Sequence, residues 1–231
     1  MIELIHAFDV ETTGPVMGHH EILAVSFVAV RFDRSNRAAT KIAALTLNLK
    51  TRDESAWHPT TLEFWRQNPE AWRRNTIADD KVMPGNAAQQ IHAHLATIQD
   101  VAARNGWDYK QITDNARFDY AWINHLLGMA GLMPIDYLRT TGEYLRVGSV
   151  IDVAQWSVAT KFNALAAITP QDCVTKTGPR LKHTPESDAE ESVELYLRID
   201  RRRSYHKRYH RRRDNYWGPP PPKKDGCGPG P

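Results

Sequence analysis

Three apolar segments near the start of the chain have the pattern of β-strands. Residues 2–9 form an apolar run that ends in an acidic cluster, and residues 22–32 are rich in Val, Ile and Phe. Residues 41–49 alternate between apolar and polar side chains. Because β-branched and aromatic residues between turn-forming residues favour strands, we predict that these segments form an antiparallel meander.

Beyond residue 58 the apolar residues follow the longer period of helices. In residues 86–104 the apolar side chains share one face, and Asn86 is the predicted N-cap. Residues 157–183 are less regular and are predicted to form loops. Helices are predicted at 60–67, 69–76, 86–104, 117–130 and 185–200, and short strands at 109–114 and 149–152. This order predicts an α/β domain with a mixed sheet and helices on its faces.

The charge of the chain is unevenly distributed. Residues 201–231 contain ten Lys and Arg and two Asp, for a net charge of +8, whereas the other 200 residues contain 20 basic and 25 acidic residues, for −5. We predict a folded domain at 1–200. Residues 201–231 are then a basic and afterwards Pro/Gly-rich tail, expected to be disordered, although its basic part is compatible with an extended last helix. Such a tail attracts polyanions.

The cysteine content and the first residues bear on location. Two cysteines among 231 residues are too few for a disulfide framework. The first 14 residues have neither a basic segment nor a long apolar run, so we predict no signal peptide and no membrane span. The expected location is the cytoplasm, including the host cytoplasm if the chain is viral.

Acidic residues occur at three places where elements begin or end. Asp9 and Glu11 point to one side of a predicted strand end, Asp119 lies in the first turn of a helix, and Asp188 lies in the first turn of the last helix, preceded by His183. Each of these has an ordinary explanation as a turn, a cap or a dipole partner. Asp9 and Glu11 would repel each other unless a cation lay between them, and carboxylate oxygens suit magnesium or manganese.

The order of these residues resembles the DEDDh branch of the DnaQ-like 3′→5′ exonucleases. That family has three motifs, and here they read DVETTG at 9–14, NARFD at 115–119 and HTPESDA at 183–189. The resemblance covers residues 3–200. It implies an RNase H-like three-layer α/β fold, with a mixed five-stranded sheet flanked by helices, and hydrolysis of phosphodiesters with two divalent ions.

The resemblance also implies the roles of the motif residues. Asp9, Glu11, Asp119 and Asp188 would hold two Mg²⁺ or Mn²⁺ ions, with Asp9 as the bridging ligand and Asp119 acting through a water. His183 would be the general base, since imidazole exchanges protons near neutral pH. All five are candidate catalytic residues.

A second group of residues is predicted to bind the substrate. Thr12 and Thr13 would hold the terminal nucleotide near its 3′-hydroxyl, and Asn115 belongs to the second motif. Phe64 and Trp65 are candidates for stacking on bases, although Trp65 and Trp72, seven residues apart, can equally belong to the core. The segment around them, residues 58–75, resembles phage-type exodeoxyribonucleases and the actinobacterial exoribonuclease-like group.

The expected activity is removal of nucleoside 5′-monophosphates from single-stranded DNA or RNA. No motif residue is identified that would contact a ribose 2′-hydroxyl, so the choice between DNA and RNA stays open. The alternative function is a catalytically inactive nucleic-acid-binding protein or a polymerase-associated scaffold with the same fold. Several members of the family are homodimers, so a homodimer and a polymerase or replication partner are both compatible with the resemblance.

The sequence departs from the family pattern at two places. Pro185 stands where family members more often have a small residue such as alanine, and residues 131–150 match no known segment.

Overall fold

The computed structural model describes most of the chain up to the end of the last helix. The described residues are 1–76, 80–135, 137–140, 143–146, 151–152 and 183–216. Side chains are described for residues 1–76, 80–135 and 183–200. The predicted loops at 157–182 and the Pro/Gly-rich end after residue 216 lie outside the described residues.

A mixed β-sheet forms the centre of the molecule. Its strands are β1 (Ile2–Thr12), β2 (Ile22–Asp33), β3 (Ala38–Asn48), β4 (Asp108–Thr113) and β7 (Ile151–Asp152). They are ordered β3-β2-β1-β4-β7, where β1–β2 and β2–β3 pair antiparallel and β1–β4 and β4–β7 pair parallel. The mixed α/β sheet and the meander are therefore confirmed, with four long strands and a two-residue edge strand.

A separate hairpin was not predicted from the sequence. It consists of two antiparallel four-residue strands within the segment 131–150 that resembled no known family feature. These strands are β5 (Tyr137–Thr140) and β6 (Glu143–Arg146).

The predicted helices are all present. Asn86 is not the N-cap of the third helix, which begins two residues earlier at Pro84 after Met83. Proline is favoured in this first position because its φ angle is already helical and its missing N–H needs no partner. No helix in the described parts is long and apolar enough to cross a lipid bilayer. The helices are α1 (Pro59–Gln67), α2 (Pro69–Thr76), α3 (Pro84–Asn105), α4 (Ala116–Met129) and α5 (Pro185–Tyr216).

Alternate side chains of the central strand β1 belong to two hydrophobic cores, one on each face of the sheet. Phe8 and Val10 pack with α3 and α4 on one face of the sheet. Ile5 and Ala7 pack with α5 on the opposite face. Because side chains alternate along a strand, the residues that continue the Ile5 and Ala7 series, Asp9 and Glu11, point toward the α5 side.

A buried carboxylate fixes α5 onto the sheet. Glu3 is 1% exposed and accepts hydrogen bonds from Arg34 at 2.8 Å, from Lys110 and from the Tyr196 hydroxyl at 3.1 Å. Arg34 also pairs with Asp200 at 2.7 Å. Since removing one partner of a buried ion pair leaves an uncompensated charge, this network sets the position of α5 along β1.

A pair of histidines joins α3 to the other face of β1. His6 is fully buried, and its ring nitrogens lie 2.9 Å from the Tyr109 hydroxyl and 3.2 Å from Nε2 of His94. His94 lies half-buried on α3, with its ring against His6. Burial, and then the neighbouring His94, hold the pKa of His6 well below its ordinary value.

Candidate active site

The first group of carboxylates lies where β1 ends beside the start of α5. Asp9 is 8% exposed, while Glu11 and Asp188 are half-buried. One oxygen from each of these three side chains lies within 4.8 Å of the other two. Pro185 begins α5 and so places Asp188 in its first turn, where the helix macrodipole favours a negative charge.

The second group shares Asp9 and adds residues from the next parallel strand. Oxygens of Asp9, Asp114 and Asp119 also lie within 4.8 Å of one another. Asp119 is 2% exposed in the first turn of α4, and the Thr113 hydroxyl donates a hydrogen bond to its Oδ2. The structure therefore brings together Asp9, Glu11, Asp119 and Asp188, four residues that the sequence had singled out.

The exposed Asp114 was not singled out in the sequence. It directly follows β4, which is the parallel neighbour of β1. The carboxyl ends of parallel neighbours lie at one edge of a sheet, so its position after β4 was the signal that could have found it. Asp114 is exposed, whereas Asp119 is buried.

Crowding raises the proton affinity of the site. Burial, followed by the nearby Asp119, Glu11 and Asp188, raises the pKa of Asp9 well above its ordinary value. Burial, and then Asp188, raises the pKa of Glu11 from 4.5 to about 8. Burial likewise raises the pKa of Asp119 from 3.8 to about 7, against the opposing hydrogen bond from Thr113.

Asp9 gives the clearest indication of what the site binds. Among the described residues, its buried Oδ2 has no hydrogen-bond partner. A buried carboxylate oxygen without a partner is costly, and Asp9 belongs to both groups of carboxylates. Hard divalent cations with oxygen ligands, such as Mg²⁺ or Mn²⁺, fit this donor set because they would bind the oxygen and offset the repulsion.

His183 lies two residues before α5 and five residues before Asp188. Its backbone is left-handed, with a φ of 61°. Its ring is half-buried and lies edge-on to Phe64, with 4.9 Å between the ring centroids. Asn75 donates a hydrogen bond to its carbonyl oxygen at 3.0 Å. The predicted general base is therefore held by residues of α1 and α2.

The two threonines after Glu11 shape the turn that follows β1. Thr12 and Thr13 are both buried. The Thr12 hydroxyl donates to the carbonyl of Gly14 at 3.0 Å, and Thr13 accepts a hydrogen bond from the Glu21 amide at 2.9 Å. A β-carbon on Gly14 would lie 2.5 Å from the His20 ring, so this turn requires a glycine.

The predicted stacking residues differ in their exposure. Phe64 is 36% exposed, so part of its ring is open to solvent. Trp65 is only 1% exposed, and its indole N–H lies 3.4 Å from the carbonyl oxygen of Thr12. Trp65 therefore supports the turn after β1 and offers no ring face to a base. Asn115 is exposed at the N-cap of α4, and its side chain makes no capping hydrogen bond.

Comparison with known proteins identifies the fold. No family model matches the sequence, and no curated protein sequence matches it. Among solved structures, the zinc-bound complex of E. coli exonuclease I with single-stranded DNA has a TM-score of 0.60 at 13% identity, over 90% of this chain and 42% of that chain. E. coli exonuclease I in complex with a dT13 oligonucleotide gives 0.58 at 13% identity, over 90% and 43%.

A third exonuclease I structure has a similar TM-score. The moderately thermophilic exonuclease I from Methylocaldum szegediense has a TM-score of 0.57 at 16% identity, over 87% of this chain and 41% of that chain. This chain therefore has the fold of exonuclease I structures and spans about two fifths of their length. At these identities the likeness is one of fold.

The raised carboxyl pKa values predict an unusual dependence of stability on pH. With divalent ions removed by EDTA, the folded state binds more protons at Glu11 than the unfolded state between pH 4.5 and about 8. Its contribution to stability is therefore present below pH 4.5 and is lost as the pH rises toward 8. Glu11→Gln cannot ionise, so its melting temperature should exceed that of the wild type by a margin that grows across this range.

Thermal melts of both proteins in EDTA and in excess Mg²⁺ would measure this margin. Because metal binding requires ionised carboxylates, Mg²⁺ should stabilise the wild type more at high pH and Glu11→Gln much less. A margin that stays constant with pH in EDTA would contradict the assignment of Glu11 to a buried, repelling cluster.

Proposed function

We propose that this chain is a metal-dependent 3′→5′ exonuclease of the DEDDh kind that releases nucleoside 5′-monophosphates from single-stranded nucleic acid. The observation that carries this proposal is the meeting of Asp9, Glu11, Asp119 and Asp188. These residues come from the beginning, the middle and the last helix of the chain, in the order and spacing of the family's motifs. The RNase H-like architecture and residues 1–200 as the catalytic domain are part of the same proposal.

The carboxylates would position two divalent cations, Mg²⁺ or Mn²⁺, which when bound stabilise the attacking and leaving oxygens of a phosphodiester. Asp9 would contact both ions, since it is the member common to both carboxylate groups. Glu11 and Asp188 would complete one set of ligands. Asp119, held by Thr113, would serve the other, and Asp114 lies at the same place as an additional oxygen donor.

His183 would remove the proton from the attacking water. A histidine just before α5, five residues ahead of Asp188, suits this role because it can accept a proton without adding another negative charge. Phe64 places its exposed ring beside His183 and would pack against the terminal nucleotide. The backbone of Thr12 and Thr13, fixed by the hydrogen bonds of its turn, would hold the 3′-hydroxyl end.

Single-stranded DNA is the proposed substrate. The exonuclease I structures with the same fold contain dT13 and other single-stranded DNA. The basic residues after position 200 would add sequence-independent phosphate contacts that weaken with salt.

The test is a nuclease assay on the purified full chain. Oligonucleotides labelled at the 5′ end, as single-stranded DNA, single-stranded RNA or blunt duplex, are incubated with Mg²⁺, Mn²⁺ or EDTA. We expect a ladder shortening from the 3′ end of single-stranded DNA, with release of 5′-monophosphates and no reaction in EDTA. A 3′-phosphorylated oligonucleotide serves as the blocked control. Absence of shortening on all three substrates with either ion would refute the proposal.

A further inference from the structure

The backbone at His183 adopts a conformation that its sequence does not favour. Among the described residues, only His183 and Arg37 have a positive φ without being glycine, both at 61°. Arg37 lies in the tight turn between β2 and β3, where such angles are common. His183 instead lies just before α5. In an L-residue the left-handed conformation is unfavourable, because the β-carbon comes too close to the following carbonyl oxygen. A neighbouring group that holds this conformation would offset its cost of about 1–2 kcal/mol.

That group is the side chain of Asn75. Asn75 lies in the last turn of α2 and is 1% exposed. Its Nδ2 donates to the carbonyl oxygen of His183 at 3.0 Å, across 108 residues of sequence. The neighbouring Arg74 reaches Glu186 of α5 at 3.6 Å. The end of α2 therefore contacts the start of α5 at His183 and again three residues later.

The ring of His183 is restricted from the same side. Phe64 of α1 lies nearly perpendicular to it, with an interplanar angle of 80°. Phe64 in turn packs edge-on against the buried Trp65, with ring centroids 5.1 Å apart. The α1–α2 pair thus fixes both the backbone and one side of the imidazole.

We propose that Asn75 is a positioning residue for His183. Its amide holds the left-handed turn and so directs the imidazole toward the carboxylates, an inference that rests on the function proposed above. Without the donor, the His183 carbonyl loses its buried partner and the backbone relaxes toward negative φ. The ring then moves away from its place at the site. Misplacement of a reacting group by about 1 Å can cost about 10²-fold in rate.

The kinetic test compares Asn75→Ala with the wild-type full chain. We expect kcat to fall about 10–100-fold while KM changes less than about threefold, because only the alignment of the base is altered. Stabilisation by Mg²⁺ should be unchanged, since the hydrogen bond of the Asn75 side chain goes to the His183 backbone. Gln99→Ala, which truncates another buried amide on α3 far from the site, is the control and should retain normal kcat. Asn75→Val, which leaves a smaller cavity and also donates nothing, replaces Asn75→Ala if that variant does not fold.

A double-mutant cycle separates positioning from general destabilisation. In the background of His183→Asn, which keeps a residue tolerant of positive φ, Asn75→Ala should cause no further loss of rate. An equal loss in both backgrounds, or normal kcat in the single variant, would overturn the proposal.

A spectroscopic readout works even if no cleavage is found. The ¹³Cα and ¹³Cβ chemical shifts of labelled His183 report its backbone conformation. They should move in Asn75→Ala and stay in place in Gln99→Ala. If the wild type cleaves no substrate but the His183 shifts move in Asn75→Ala and not in Gln99→Ala, the proposed exonuclease is refuted while the Asn75 contact is supported. An active wild type whose His183 shifts are insensitive to Asn75 would refute only the positioning role.

Discussion

Replacing Asp9 with asparagine is expected to lower the rate of nucleotide release by about 10³-fold or more. Asp9 belongs to both carboxylate groups, so its loss would disturb both proposed ions. Metal ions contribute several kcal/mol to the stabilisation of phosphodiester transition states, and each 1.36 kcal/mol corresponds to about tenfold in rate. The measurement is the initial rate on 5′-labelled single-stranded DNA with saturating Mg²⁺.

The same substitution should make the metal-free protein more stable. The pKa of Asp9 is raised by burial and by its acidic neighbours, so the folded state resists its ionisation. At about pH 8 an uncharged asparagine removes that cost, and we expect a gain of about 1–3 kcal/mol, or about 2–10 °C in melting temperature. Below about pH 4 both side chains are neutral, so the gain should disappear.

The control for this experiment is Asp100→Asn. Asp100 lies on α3, where its side chain is 50% exposed and forms an ion pair with Arg104, four residues later. Its replacement should change neither the rate nor the metal-free stability by much. If Asp9→Asn cleaves at a rate close to that of the wild type, Asp9 is not a bridging ligand. If it is less stable in EDTA at high pH, the carboxylates do not repel one another as the structure indicates.

The sequence predicted the grouping of the four carboxylates because strand and helix ends have local signals. The Asp9–Glu11 pair follows an apolar run, and Asp119 and Asp188 each lie in a first helical turn. The parallel pairing of β1 and β4 then places these ends at the same edge of the sheet. Only the order of the three motifs, which resembles a known family, distinguished these residues from ordinary turns and caps.

Other parts of the site depend on tertiary contacts that leave no local pattern. Asn75 is an ordinary polar residue in a short helix, and only the fold brings it to His183. Trp65 and Phe64 are adjacent aromatic residues, yet one faces the core and the other faces solvent. The contact between His94 and the buried His6 could not be predicted either, because a single histidine on a helix does not reveal its partner on a strand.

Removal of the imidazole of His183 should have the second large effect. His183→Asn and His183→Gly are both expected to lower kcat by about 10²–10⁴-fold, the usual contribution of a general base. These two replacements tolerate the positive φ at this position, unlike alanine. A loss of rate in them therefore reflects the missing base rather than a strained backbone.

Three further measurements distinguish this role from a role in metal binding. Stabilisation by Mg²⁺ should persist in both variants, because His183 is absent from both groups of carboxylate ligands. Added imidazole should partly restore cleavage by His183→Gly, where the missing side chain leaves room for it, and much less by His183→Asn. If the variants lose the stabilisation by Mg²⁺ together with activity, His183 is part of the metal site. If both variants cleave at a near-normal rate, another group removes the proton.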